Sequence, residues 1–388
     1  MNDLLKKLSE EELQGLIERY YSNEKVSVLL EEFELDINAT ELIRNFPLKE
    51  LPDVQCPYCN IAMKQRYPAR GIARYSWPSP YCGNCAHKLQ SPCGCDKCDE
   101  FAREEEKQRL ISFREKISKT TFVRKCNIQI DGLTLMQAMA LVTLSLISRD
   151  ENDSLISSIA SHHLRLAPTE IMTLDIIKSL HKDHFIEIAE ETSFHFMEFG
   201  ELGNIDQLIW EDIEWRYNLV NDESSNAEFL RELEITIRDK TLWPLSWEDD
   251  LTKVWKELAY QHCCKYLQVH VEEHGFLFKA GEKTRKVINH TLDNYSILKS
   301  YYFLWVAVRN VASYCLRKNL SQSQAGYIIP GNIERRVDKA LASNDWEVKE
   351  YRKDSRCGKS AMTDYFANVV TNLGEDFYTE KPSVDKCS

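Results

Sequence analysis

Seven of the chain's thirteen cysteines fall between Cys56 and Cys98, and they constrain the fold more than any other feature. They read Cys56-Pro-Tyr-Cys59, Cys82-Gly-Asn-Cys85-Ala-His87 and Cys93-Gly-Cys95-Asp-Lys-Cys98. A Cys-x-x-Cys turn points both sulfurs the same way, and two such turns separated by a loop can converge on one tetrahedral zinc. Seven cysteines with His87 make eight ligands, enough for two closed sites. The spacing is met by Cys56, Cys59, Cys82 and Cys85 for a first zinc and His87, Cys93, Cys95 and Cys98 for a second. It is met equally by an interleaved pairing. A closed site leaves no coordination position for water or substrate, so the expected role of both ions is structural, folding a segment too small to bury a core of its own.

The same segment is a basic island. No carboxylate lies between Asp53 and Asp96, whereas Lys64, Arg66, Arg70, Arg74 and Lys88 all do, in a chain of net charge −12. Tyr58, Tyr67, Tyr75, Trp77 and Tyr81 are interleaved with these cations. Cations that neutralise phosphates beside aromatic faces that can stack on bases form the two parts of a nucleic-acid platform, for DNA or RNA. The residues expected to contribute are Lys64, Arg66, Tyr67, Arg70, Arg74, Tyr75, Trp77 and Lys88. The same cations could instead meet an acidic protein surface. An overall acidic chain argues against a broad DNA-coating surface but permits a local one.

With 43% hydrophobic residues, 13 Gly and 11 Pro in 388 residues, the remainder reads as well-packed globular protein in two or three modules. The longest apolar run, Leu133 to Ile147, falls short of the roughly 20 residues that a bilayer requires. No membrane contact is expected. The first residues lack an apolar signal core, which places the chain in the cytoplasm as an expectation, with the six cysteines outside the cluster reduced.

Taken in order, Ser9 to Glu12 forms a capping box opening a helix to about Tyr21. Val26, Leu29, Leu30 and Phe33 mark a second helix, and Asn38 with Glu41 is expected to cap a third, ended by Pro47. This arrangement resembles the helix-turn-helix of bacterial repressors and transposases, with Thr40, Glu41, Arg44 and Asn45 outward on the third helix. A charged, solvated helix is expected over Asp99–Lys119, a short strand over Asn127–Gly132, and a nearly all-apolar helix after Thr134. The helix from Pro168 to about His184 is followed by Phe185–Ile188, a turn through Glu190 and Glu191, and Ser193–Phe196. Helix, strand, turn, strand resembles a winged helix. From Trp210 the pattern is helical, including Leu251–His274, Ser296–Arg317 and a final helix capped by Ser360.

Enzyme-like strings are few. His270-Val-Glu-Glu273-His274 resembles the inverted zinc-peptidase pattern, but it sits against Gly275 at a helix end. Arg285-Lys-Val-Ile-Asn-His290 is similar to the Arg-x4-His string of HEPN ribonucleases, helical dimers, in which Arg285 would stabilise phosphate charge and His290 would move a proton. Gly358-Lys-Ser360 lacks the earlier glycine of a phosphate-binding loop. His162-His163 and His181-Lys-Asp-His184 flank the Pro168 helix without a third ligand in view. No catalytic constellation is complete.

The expected architecture is mainly α: a multi-module helical protein with a small zinc-ribbon module and a winged-helix-like β-hairpin. The boundaries fall at 1–50 (helix-turn-helix), 51–100 (two-zinc ribbon), 101–210 (connecting helix and winged-helix-like module) and 211–388 (helical bundle). Through its CPYC, YCGNCAH and CGCDKC strings, the N-terminal third resembles helix-turn-helix plus zinc-ribbon proteins of bacterial mobile elements and antiviral defence loci. That resemblance implies a non-enzymatic nucleic-acid binder acting as regulator or sensor. An interaction adaptor with a protein partner or a second copy, and a helical ribonuclease, are the alternatives.

Overall fold

The computed structural model describes residues 5–73, 76–90, 92–148, 155–162, 164–200, 205–221, 225–343 and 345–383. Arg74, Tyr75 and His163 lie outside the described residues. The chain is mainly α-helical. It divides into two compact units, residues 1–112 and 113–388.

The first unit opens with α1 (Glu10–Tyr21), whose capping box forms as its sequence requires: Ser9 N donates to Glu12 Oε2 at 2.8 Å, and Glu12 N donates to Ser9 Oγ at 3.3 Å. Leu16, Ile17 and Tyr20 of α1 join Leu29 of α2 (Val26–Glu32) and Leu35, Leu42 and Phe46 in one small core. Arg19 ties the two helices by bonding Glu24 at 2.7 Å and Glu32 at 2.6 Å. The third helix, α3, is a single turn, Leu42–Asn45, and no side chain caps it. Glu41 N bonds Asn38 O at 2.8 Å, so a turn occupies the stretch expected to begin the helix, and Pro47 closes the other end. A four-residue helix is about 6 Å long. It is shorter than the expected third helix, and its Leu42, with Phe46 beside it, packs into the small core. Beyond it come the hairpin β1 (Lys49–Gln55) and β2 (Ala62–Gln65), the single turn α4 (Arg70–Ala73) and α5 (Asp96–Thr120), within which the boundary between units falls.

The second unit is built around α6 (Leu135–Ser148), buried continuously from Ala138 to Leu144. A helix with no polar face needs cover on all sides. It is packed by α7 (Glu170–Lys182), α8 (Asn226–Arg238) and the 29-residue α9 (Leu245–Glu273); α10 (Glu282–Asn294) and α11 (Ile297–Lys318) pack against α9, and α12 (Gln322–Leu341) packs against α11 and α10. Trp215, Trp247, Trp255, Phe303, Phe366 and Phe377 fill one core that runs from Phe113 to Phe377. The stretches 101–210 and 211–388, expected as separate modules, share it. The helix capped by Ser360 is α13 (Ala361–Tyr365), continued by a π-turn at Phe366–Val370, and the short α14 (Asp376–Thr379) follows it.

Two expected strand assignments change. Asn127–Gly132 holds a 3-10 turn at Ile130–Gly132 rather than a strand. The wing does not form from its neighbouring segments: β4 (Ile186–Ile188) pairs with β7 (Trp215–Tyr217), which also pairs with β3 (Leu155–Ile156). Phe194–Phe196 is a 3-10 turn, and β5 (Met197–Phe199) makes a separate hairpin with β6 (Ile205–Leu208). In β4 the buried Ile186 and Ile188 share one face with Tyr217 and Trp215, their buried partners on β7, while the buried Glu187 lies opposite Arg216 on the other, so the distant strand supplies apolar cover that the polar turn through Glu190 and Glu191 cannot.

Inside this unit His262 is fully enclosed, with Nε2 2.9 Å from Thr363 Oγ1 and its ring against Phe377 and Tyr378. Burial, with a smaller effect from the charge on Lys353, lowers its pKa from 6.5 to about 3. Between those two values the unfolded chain takes up a proton that the fold refuses, so stability falls on acidification. At pH 5 this contribution is about 2 kcal/mol relative to neutral pH. Urea unfolding at pH 7 and pH 5 checks it: His262→Asn should flatten that part of the pH dependence, and an unchanged slope would contradict the assignment.

Candidate metal centre and basic face

The two Cys-x-x-Cys turns have the same backbone design. In the first, Asn60 N donates to Cys56 O at 2.9 Å, Cys56 N donates to Ile61 O at 2.9 Å, and Asn60 has φ 51°. In the second, Ala86 N donates to Cys82 O at 3.0 Å, Cys82 N donates to His87 O at 2.8 Å, and Ala86 has φ 58°. Each turn curls its two sulfurs to one side, and the residue after the second cysteine takes the left-handed conformation that reverses the chain. Asn tolerates that conformation, whereas Ala pays about 1 kcal/mol for its Cβ. Ala86→Gly is therefore expected to raise the thermal stability of the first unit by up to about 1 kcal/mol without altering metal content. A loss of stability would show that the turn is not strained.

The turns bring the sulfurs of Cys56, Cys59, Cys82 and Cys85 within 4.8 Å of one another, with Cys56 and Cys85 at 3.6 Å. A tetrahedron of thiolates about 2.3 Å from zinc has edges of about 3.8 Å, which this group fits. Cys56 and Cys82 are buried with Met63 beneath them. Burial pushes the Cys82 thiol up, but the N–H groups of Cys85 and Asn84 outweigh it and bring the pKa down to about 7. Asn84 Nδ2 also donates to Cys59 Sγ at 3.4 Å. Thiolate-directed N–H donors are what a metal-ligand set requires around its first coordination sphere.

A second group gathers His87, Cys93, Cys95 and Cys98, again with all donor atoms within 4.8 Å. His87 Nδ1 lies 3.1 Å from Cys98 Sγ and 3.9 Å from Cys95 Sγ. Cys98 sits in the first turn of α5; the Tyr58 hydroxyl lowers its pKa, but burial and the neighbouring Cys95 and Cys93 sulfurs outweigh this and raise it. Lys88 N donates to Cys93 Sγ at 3.1 Å, the main cause of a pKa lowered to about 6. The eight donors thus separate in sequence order, four and four, and the interleaved pairing is not the one the chain adopts. The two sets are consistent with two zinc ions, and each offers four protein donors, the closed arrangement of a structural site.

Beyond the hairpin the sheet continues as two isolated bridges, Lys64 with Tyr81 and Tyr81 with Lys88. Lys64 and Tyr81 exchange both backbone hydrogen bonds at 2.8 Å. Residues directly opposite one another in antiparallel pairs project to the same face, so Glu50, Lys64, Tyr81 and Lys88 form a row across it. Lys64 Nζ is 3.3 Å from Glu50 Oε1. Lys88 is exposed, as is Arg66 two residues beyond Lys64.

The other expected contacts are distributed differently. Arg70 Nη1 donates to Glu24 O at 2.6 Å and its guanidinium lies over the Tyr20 ring at 5.2 Å, so it holds the helical bundle. Tyr67 packs edge-on to Phe46 at 5.7 Å, and Trp77 stacks on Tyr21 at 6.4 Å with Lys49 over its ring at 5.2 Å. Tyr67 is committed to packing, and Trp77 keeps 38% of its surface exposed. Tyr81, between two lysines, and Tyr58, whose hydroxyl lies 3.5 Å from Cys98 Sγ, stand among the interleaved aromatics but outside the expected contact set.

The enzyme-like strings come apart in three dimensions. His270 Nδ1 contacts Glu273 at 2.7 Å and its Nε2 lies 3.7 Å from Asp354, while His274 stacks on Phe276. The two histidines do not belong to a convergent donor group among the described residues. Arg285 bonds Glu257 on α9 and covers Tyr260, whereas His290 is 3.7 Å from Asp338 on α12, so the pair faces different partners. His184 Nδ1 donates to Glu187 Oε1 at 2.6 Å, which satisfies that buried carboxylate. Among the described residues no helix is long and apolar enough to cross a membrane.

No protein-family model matches the chain, and no curated protein or solved structure matches it. The fold and its donor sets define a mainly helical protein whose two cysteine-rich groups can hold metal.

Proposed function

We propose that the protein is a non-enzymatic, zinc-dependent nucleic-acid-binding protein, with Cys56, Cys59, Cys82 and Cys85 on one zinc and His87, Cys93, Cys95 and Cys98 on the other. The observation that carries this reading is the row Lys64, Tyr81, Lys88, held between the two donor groups: Tyr81 directly precedes Cys82, and Lys88 directly follows His87. Cations on either side of an aromatic ring suit a single strand, with phosphates on the ammonium groups and a base on the ring. Arg66 and the exposed part of Trp77 extend the basic and aromatic surface. A role as regulator or sensor in a bacterial mobile-element or defence setting belongs to the proposal. The cysteine strings support it, and the single-turn α3 does not.

The test is binding of a labelled single-stranded oligonucleotide between 50 and 200 mM salt. Two to three phosphate contacts on a single strand predict affinity falling roughly tenfold across that range. The combined change of Lys64, Arg66 and Lys88 to Ala should remove most of both the affinity and its salt dependence while zinc content stays unchanged. Binding that ignores salt, or survives the triple change, would refute the reading. Because Lys64 already pairs with a carboxylate, Glu50, an acidic protein surface is the second reading, and retention of a protein partner without oligonucleotide binding would select it.

A further inference from the structure

We infer that the second metal group is assembled on the first, with Tyr58 positioning its ligands. The order of loading rests on contacts alone.

The two donor sets are unequal in what they depend on. Cys56, Cys59, Cys82 and Cys85 are presented by two self-contained turns, each closed by its own backbone bonds, and the two buried sulfurs sit on Met63. From the second group they use the backbone carbonyl of His87 and not its imidazole. The second group borrows from the first at two points. His87 is the residue whose carbonyl closes the second turn by accepting from Cys82 N, so its imidazole is placed by the folding of the first site. Tyr58, inside the first turn, reaches across to the second: its hydroxyl is 3.5 Å from Cys98 Sγ, and its ring meets the His87 ring edge-on at 5.1 Å. Tyr58 is thus a positioning residue. It orients two ligands of one site from within the loop of the other, as outer-sphere partners of metal ligands do.

The basic row is fixed together with the first site. Lys88 lies between His87, whose carbonyl accepts from Cys82 N, and Leu89, whose N–H donates to Pro80 O at 3.1 Å, so its backbone is held to the sheet edge without the second group. Its own N–H donates to Cys93 Sγ at 3.1 Å. Filling of the first site builds the module and the basic row, and the second metal is seated on them.

The experiment is a zinc titration of the metal-free full-length chain against a chromophoric chelator. Two resolved equivalents are expected. Tyr58→Phe, which keeps the ring and removes the hydroxyl, should leave the first equivalent unchanged and weaken the second by roughly tenfold or more. Cys95→Ser should remove the second equivalent alone, and Cys82→Ser should remove both. Retention of the second equivalent in Cys82→Ser, or a second equivalent untouched by Tyr58→Phe, would overturn the order of assembly.

Discussion

Cys82→Ser is expected to unfold the Cys56–Cys98 segment while the second unit keeps its structure and its melting transition. Cys82 is fully enclosed, receives N–H groups from its own turn, and shares its sulfur environment with three other cysteines. The local apolar core around this group is small: Met63 with the buried faces of Cys56 and Cys82, and Val54 at its edge. Such a segment owes its folding to the metal, and structural zinc contributes on the order of 10 kcal/mol of apparent binding free energy at neutral pH. Removing one thiolate leaves three donors and a buried hydroxyl, so the ion is lost rather than held weakly. The second unit has its own continuous core and no part in the donor set. Limited proteolysis with mass spectrometry should therefore show rapid cleavage between residues 56 and 98 and a protected fragment beginning near residue 113. A variant that keeps two zinc ions and resists cleavage would show that the donor group is incidental to the fold.

Gly326→Ala is expected to destabilise the second unit by about 3 kcal/mol or more. Gly326 lies in α12, where glycine ordinarily costs about 1 kcal/mol relative to alanine, so its presence needs a reason. The reason is the backbone at Leu277–Phe278, which crosses α12 so closely that a Cβ on Gly326 would meet Leu277 O at 2.1 Å. That contact is with backbone, not with a side chain that can swing away. Accommodating a methyl would require moving the connection after α9 or shifting α12, whose Ala325, Ile329 and Ile333 are buried in the common core. Urea denaturation reads the loss directly. A change below about 0.5 kcal/mol would mean that the crossing is loose.

The parts of this architecture visible in the sequence are those set by neighbouring residues. The two Cys-x-x-Cys turns, the Ser9 capping box and the apolar run of α6 declare themselves because spacing alone dictates the local geometry. The choice between sequential and interleaved ligand sets was not visible, since it depends on Cys98 being carried back to His87 by the first turn of α5. The wing failed for a related reason: the buried β4 is satisfied only by β7, a partner 27 residues on, and local order says nothing of that pairing. Charge was visible but not its use. Arg70 and Lys64 read alike in the sequence, yet one is spent on Glu24 O and Tyr20 while the other joins the row beside Tyr81, a difference fixed by strand register.

The most direct test is the metal content of the full-length chain, purified without added metal and weighed under native conditions. Two zinc ions per chain, falling to one in Cys95→Ser and to none in Cys82→Ser, is the result predicted. A metal-free chain whose Cys56–Cys98 segment nonetheless resists proteolysis would contradict the account.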